Sequence, residues 1–191
     1  AVQIQSPASN DYGKLQFNSG MTGYPSGLTL GGVQGLSANV DFSTTGAEQP
    51  YFLLAFQDGS NSLGQTASSD QILFIEFPNS SLSGNVLSLD PSSTLFNLYD
   101  NTTGAYLQGG QADTKSIDAW LAEFSSLDSE ALQGIWVAEG LAAGDDGSES
   151  LTVNSLTVDA AVPEPSSFGL FATALLMLGF AGFSATRRAR R

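Results

Sequence analysis

The stretch "LSANVDF", residues 36–42, decides how this chain is read. Leu36, Ala38, Val40 and Phe42 fall on one face of an extended chain, and Ser37, Asn39 and Asp41 fall on the other. A period of two is the mark of a strand with one face in a core and one in water. The two apolar runs that follow, "PYFLLAFQ" (50–57) and "DQILFIEF" (70–77), are denser in aromatic and β-branched residues. They read as central strands covered on both faces.

Outward from there the strand pattern repeats. "NVLSLD" (85–90) and "TLFNLYD" (94–100) are separated by a Pro-Ser-Ser turn. "GAYLQG" (104–109) follows "DNTTG" and is placed to pair back on the strand before it. "IWVAEG" (135–140) and "SLTVNSLTVDA" (150–160) come last. In the final segment the alternation changes phase at Asn154-Ser155, which predicts a bulge. Connectors rich in Gly, Ser, Asn and Asp suit short strands. One segment has a different period. In "TKSIDAWLAEFSSLDSEAL" (114–132), Ile117, Trp120, Leu121 and Phe124 recur at helical spacing, with Asp113, Thr114 or Ser116 available as a cap. The expected fold is therefore all-β: a sandwich spanning residues 1–160, with one short amphipathic helix over its end.

Charge and composition narrow the chemistry. The 191 residues hold 6 Lys and Arg against 19 Asp and Glu, a formal charge of −13. Four of the cations are Arg187, Arg188, Arg190 and Arg191, so Lys14 and Lys115 alone face the acids of the body. Such a surface repels phosphate, and no nucleic acid is expected as a partner. The chain has no Cys and no His. Disulfides, thiolate metal sites and Ser-His-Asp chemistry are thereby excluded. "AVQIQ" at residues 1–5 reads as the end left by removal of an export signal.

Residues 161–191, "AVPEPSSFGLFATALLMLGFAGFSATRRARR", are unlike the rest. A Pro-Glu-Pro linker (161–167) precedes an uncharged run (168–186) and a basic end (187–191). A helix of about 20 residues rises roughly 30 Å, the thickness of a bilayer core. Arginines after such a span stay on the cytoplasmic side, and Pro163 and Pro165 keep the helix from running back into the body. The physical reading is an external body, a transmembrane helix over 168–186 and a basic cytoplasmic tail.

That ordered trio resembles the PEP-CTERM sorting signal of exported bacterial proteins, with Val162 and Ser166 flanking the triplet in the common manner. The resemblance covers about the last 30 residues. It implies export, transient anchoring in the inner membrane and processing by exosortase, a membrane transpeptidase-like protease. Pro163, Glu164 and Pro165 then serve as the sorting motif, and Arg187, Arg188, Arg190 and Arg191 as the membrane-retention signal. The implied destination is the cell surface or an extracellular matrix or biofilm, with exopolysaccharide as a further partner. The body also resembles, in pattern, the jelly-roll-like ectodomains of such proteins, through "LSANVDF…PYFLLAFQ" and "LQGIWVAEGLAAGDDGSESLTVNSLTV".

Within the body, no motif marks a catalytic centre, and the expectation is a non-enzymatic protein with no cofactor. Glu76 and Glu139 sit in strands and would be the acids of a carboxylate pair if one existed. "GDDGSES" (144–150) offers Asp145, Asp146, Ser148 and Glu149 as a calcium candidate beside the plainer reading of a solvated acidic turn. Trp120, Trp136, Tyr12, Tyr24, Tyr51, Tyr99 and Tyr106 could stack on sugar, although both tryptophans occupy patterned core positions. Asn79-Ser80-Ser81 and Asn101-Thr102-Thr103 have the form of glycosylation sequons and read as polar loops. The alternative function is thus a carbohydrate- or calcium-binding module delivered by the same route. An exposed aromatic row on a sheet face would favour that alternative, and burial of both tryptophans would favour the surface or matrix protein.

Overall fold

The computed structural model describes residues 2–6, 13–44, 49–77, 81–139 and 149–161, and for residues 2–6, 44 and 149 the backbone path alone. Residues Ala1–Ala160 form one compact unit. Its strands are β1 (Val2–Ser6), β2 (Gly13–Asn18), β3 (Val33–Thr44), β4 (Tyr51–Gln57), β5 (Gln71–Glu76) and β6 (Leu82–Ser83), followed by β7 (Val86–Leu89), β8 (Leu95–Asp100), β9 (Ala105–Tyr106) and β10 (Lys115–Ser116). Helix α1 (Ile117–Glu123) and a 3-10 turn (Ser125–Ser129) lead to β11 (Leu132–Glu139) and β12 (Glu149–Ala160).

All strand pairs are antiparallel, and they form two sheets. The five-stranded sheet runs β1-β12-β3-β7-β6. The seven-stranded sheet runs β10-β8-β5-β4-β11-β2, with β9 paired to β8. The alternation in 36–42 does what its period requires. Leu36, Ala38 and Val40 are buried in the main core, while Ser37, Asn39 and Asp41 are turned away from it. That core also takes Phe52, Leu54 and Phe56 of β4 and Ile72 and Phe74 of β5. One hydrophobic layer is thus shared by both sheets. The alternate residues of the central strands, Tyr51, Leu53, Ala55, Leu73 and Ile75, are buried in a second cluster with Trp136 and Ala138. Both faces of β4 and β5 are therefore buried, as their density of apolar residues predicts.

The predicted bulge is present. Val153 pairs with Val40 and Ser155 with Asn39, so Asn154 is the extra residue. The hairpin after "DNTTG" also forms, with Tyr99 opposite Tyr106 and Asp100 opposite Ala105.

The helical segment is shorter than its sequence pattern. Lys115-Ser116 pair with Leu95-Phe96 as β10, and α1 occupies seven residues. Ser116 is the cap: its Oγ accepts the Ala119 N–H at 3.2 Å. The α-helix stops at Phe124, whose φ of −120° leaves the helical region. The Ser-Ser pair that follows favours a 3-10 turn over a further α turn, because serine side chains compete for backbone hydrogen bonds. Trp120 is buried against Phe74, ring centroids 6.5 Å apart, and its Nε1 donates to the Phe96 carbonyl at 2.9 Å. The helix plugs the core, which is the plain reading of its pattern.

Among the described residues, no helix is long and apolar enough to cross a membrane. The linker, span and basic tail expected over 161–191 lie outside the described residues apart from Ala161.

Phe74 joins the sheet core to the helix, touching Phe56, Phe96 and Trp120. Phe74→Ala should destabilise the body by about 3–5 kcal/mol, the usual cost of an aromatic cavity. Both tryptophans of the chain lie in this unit, so urea unfolding followed by tryptophan fluorescence reads that loss directly. A loss under about 1 kcal/mol would mean that Phe74 does not hold this packing.

Candidate functional sites

The two strand carboxylates are both buried. Glu76 ends β5 and Glu139 ends β11, on opposite sides of β4. Glu76 is held by the backbone: its Oε2 accepts the Phe52 N–H and its Oε1 the Ser81 N–H, each at 3.0 Å. This ties Ser81 and the start of β4 to the end of β5. A carboxylate with each oxygen engaged by an N–H group is a structural acceptor.

A denser polar site lies at Asp58, at the end of β4, which the strand and acid patterns pass over. Its Oδ1 accepts from the Ser60 backbone N–H (3.1 Å) and Oγ (2.6 Å). Its Oδ2 accepts from Ser62 Oγ and the Leu63 N–H, both at 2.9 Å. Gln65 Nε2 donates to the Asp58 carbonyl at 2.8 Å, and the Gly59 N–H donates to Glu130 at 3.1 Å. Burial pushes the Asp58 carboxyl up, but the donors from Ser60, Leu63 and Ser62 outweigh it and hold the group below the usual aspartate range. The signal was present in "DGSNSLG": an Asp followed by serines at the second and fourth positions is the pattern of a self-bonded turn.

The tryptophans are not sugar platforms. Trp120 and Trp136 are 0% and 3% exposed. Trp136 Nε1 donates to Asn18 Oδ1 at 2.8 Å across the β11–β2 pair. Gly134 permits that bond, since a Cβ there would collide with both the indole nitrogen and the Asn18 oxygen. Each indole face carries a lysine. Lys14 Nζ stands 4.0 Å from the Trp136 centroid, and Lys115 Nζ 4.2 Å from that of Trp120. Burial pulls the Lys14 ammonium down from its ordinary value. Glu123, at 2.8 Å, and Asp113, at 3.1 Å, hold that of Lys115 up.

Among the described residues, the tyrosines do not line up as an exposed row. Tyr51 is buried, and Tyr24 is half-buried with its OH donated to the Leu132 carbonyl at 2.6 Å. Burial pushes the Tyr24 hydroxyl up to about 12. Tyr106 is exposed and stands edge-on to half-buried Tyr99, centroids 5.1 Å apart. Asn101 of the second sequon is exposed in the β8–β9 turn, donating to Gln71 Oε1 at 2.9 Å.

Tyr12, the first sequon at 79–81 except Ser81, the sorting motif at 163–165 and the arginines at 187, 188, 190 and 191 lie outside the described residues. So do Asp145, Asp146 and Ser148 of the calcium candidate; Glu149 begins β12, without a described side chain. Among the described residues, no group of three acidic side chains is placed to hold a metal ion.

Asp58→Ala should lower stability by about 1–3 kcal/mol, because the buried Leu63 N–H loses its acceptor and the turn loses its bonds from Ser60 and Ser62. The pH dependence has a fixed sign. A carboxyl lowered by folding contributes fully above its unfolded value of about 3.9 and loses that contribution as pH falls through the folded value. Asp58→Asn should therefore flatten the acid limb of a stability-against-pH curve while leaving neutral-pH folding detectable. An unchanged acid limb would remove Asp58 from the groups that set it.

The chain matches no protein-family model, no curated protein and no solved structure.

Proposed function

We propose that this chain is an exported bacterial surface or extracellular-matrix protein, non-enzymatic, whose C-terminal signal is processed by exosortase. The observation that carries this reading is the ordered tail: Pro163-Glu164-Pro165, the uncharged run 168–186, then Arg187, Arg188, Arg190 and Arg191. The nine Leu, Phe and Met side chains between 168 and 183 each favour insertion by about 0.3 to 0.6 kcal/mol. Each arginine resists crossing by roughly 2.5 to 3.5 kcal/mol at the bilayer centre. Export would stall with the triplet at the outer surface, where a membrane-embedded protease reaches it. The protein is then the substrate of exosortase, anchored in the inner membrane as a precursor and later held at the surface or in an exopolysaccharide matrix.

The body is consistent with a passive role. We read its two sheets as a jelly-roll-like sandwich, supported by the nested pairing of β3 with β12 in one sheet and β4 with β11 in the other. The non-enzymatic reading is supported by the absence of His and Cys from the sequence and by the clamping of Glu76 on two backbone N–H groups. The carbohydrate-binding alternative loses its best platforms, since both indoles are inside and each is capped by a lysine.

Glu164→Ala should leave membrane insertion intact, because the span and its arginines are unchanged, and should block processing. The size of the protein in membrane and secreted fractions of the native host reads the result. Trimming of the Glu164→Ala chain to the wild-type size would show that the triplet is not the recognition element.

A further inference from the structure

The sequence has two Asp-Gly steps, Asp58-Gly59 and Asp146-Gly147, and no Asn-Gly. Only the first lies among the described residues. Such a step carries a chemistry of its own. The glycine nitrogen can attack the aspartate side-chain carbon, because no side chain beside that nitrogen hinders it. A C–N bond forms, the C–O bond to the carboxyl hydroxyl breaks, and the amide proton leaves with that hydroxyl as water. Water then opens the cyclic imide at either carbonyl. Opening at the former backbone carbonyl leaves isoaspartate, with the main chain running through the side-chain carbon. The sequence of steps needs no oxidant and no reductant, and its one co-reactant is water.

At Asp58 each group that must move is held. The Gly59 N–H donates to Glu130 Oε1 at 3.1 Å. At the other end of the same peptide plane, the Asp58 carbonyl accepts the Asn61 N–H at 3.0 Å and Gln65 Nε2 at 2.8 Å. The nitrogen cannot turn toward the side chain without breaking these bonds. The carboxylate is fixed as well, Oδ1 by Ser60 and Oδ2 by Ser62 and the Leu63 N–H. Those donors favour the ionised form, which resists attack and has no hydroxyl to release. Glu130 is itself placed by the fold. Its N–H donates to the Leu127 carbonyl and its carbonyl accepts the Leu30 N–H, each at 3.0 Å. Ser126 Oγ lies 3.2 Å from Ser60 Oγ and 3.1 Å from Ser62 Oγ, which sets the 3-10 turn against the Asp58 loop.

We propose that Asp58-Gly59 is a latent isoaspartate site and that Glu130 is its lock, keeping the ring from closing by holding the Gly59 N–H. The position explains why a lock matters. Isoaspartate would add a methylene to the main chain at the end of β4, the strand that joins β5 to β11. It would also withdraw the carboxyl from Ser60, Ser62 and Leu63. A brief local opening would then become a permanent break in the network. This chemistry is independent of where the chain is sent.

The test uses the full chain, either folded in membranes or unfolded in urea, at neutral pH in heavy-oxygen water. The protein is then digested in ordinary water. Every ring opening takes one oxygen from solvent, so the mass of the peptide holding Asp58 counts closures, and chromatography separates its isoaspartate form. In the wild type, labelling at Asp58 should be at least about ten-fold slower folded than unfolded. Glu130→Ala should raise the folded rate at least about five-fold, since the bond to a charged acceptor is lost. Glu130→Gln keeps a side-chain carbonyl and should stay within about two-fold of wild type. Tryptophan fluorescence checks folding of each variant. If Glu130→Ala does not fold, Ser62→Ala decides: it frees one carboxylate oxygen, leaves Glu130 in place and should also raise the rate. An unchanged rate in the deciding variant overturns the proposal, as does a Glu130→Gln rate equal to that of Glu130→Ala. A slower rate in Glu130→Ala would make Glu130 a base that promotes closure, and equal rates in folded and unfolded wild type would mean that nothing is locked; either result also overturns it.

Discussion

The architecture depends on pairing strands that are far apart in the chain. β3 (33–44) lies beside β12 (149–160), and β4 (51–57) lies beside β11 (132–139). These ladders put the start and end of the body into both sheets at once. Everything between them is added to the outside: β5 and β8 extend one sheet, and β7 and β6 the other. The main core exists only when the two long-range ladders are in register, because Leu36 and Val40 face Phe52 and Phe74 from different sheets. Loop-closure entropy must be met before that core gives anything back. A fold of this kind is expected to form late and cooperatively, with the Asp58 turn and the β6–β7 hairpin as the local elements available earlier.

What was legible in the sequence follows from how far each signal extends. The apolar runs at 50–57 and 70–77 each cover a whole strand, the alternation of 36–42 covers the centre of β3, and each is found in place. Even the bulge at Asn154 could be read, since a change of phase inside an alternating run has few other causes. Four strands, β1, β2, β6 and β10, were not expected, and length explains only two of them. β6 and β10 are two residues each, too short for any period. In β6 the visible clue is instead Gly84, which takes a φ of +59° to turn the chain back into β7. In β2, "GKLQFN", the outward Lys14, Gln16 and Asn18 gain their places from Trp136 and β11, and no local pattern announces that. The helix overran for the opposite reason. Apolar spacing continues through Leu127, but Phe124 and the serines after it bend the chain so that Leu127 enters the core from a 3-10 turn.

The candidate sites were less legible than the strands, because burial and partners decide a site and spacing shows neither. Glu76 and Glu139 looked alike on strands. The structure gives Glu76 a definite duty as an acceptor for two backbone N–H groups. The Asp58 network went unread because its serines resemble those of any polar loop. Only its closure on one carboxylate, with Glu130 and the 3-10 turn brought alongside, distinguishes it.

The placement of the two lysines ties charge to architecture. A chain with 19 acids has little reason to keep cations for solubility. Here both are used twice. Each lies over one of the two indoles, covering apolar surface with its stem and the ring with its ammonium. Each also stands on an outer strand of the seven-stranded sheet, where a charged side chain hinders pairing with another chain. The Trp136 side adds a further constraint, since Gly134 must stay small for the indole to reach Asn18 while its face receives Lys14. Edge protection and burial of the two largest side chains are therefore one device in this sheet. The other sheet has no lysine to use in this way, and its shielding falls to the overall negative charge, which acts at a distance and yields to salt.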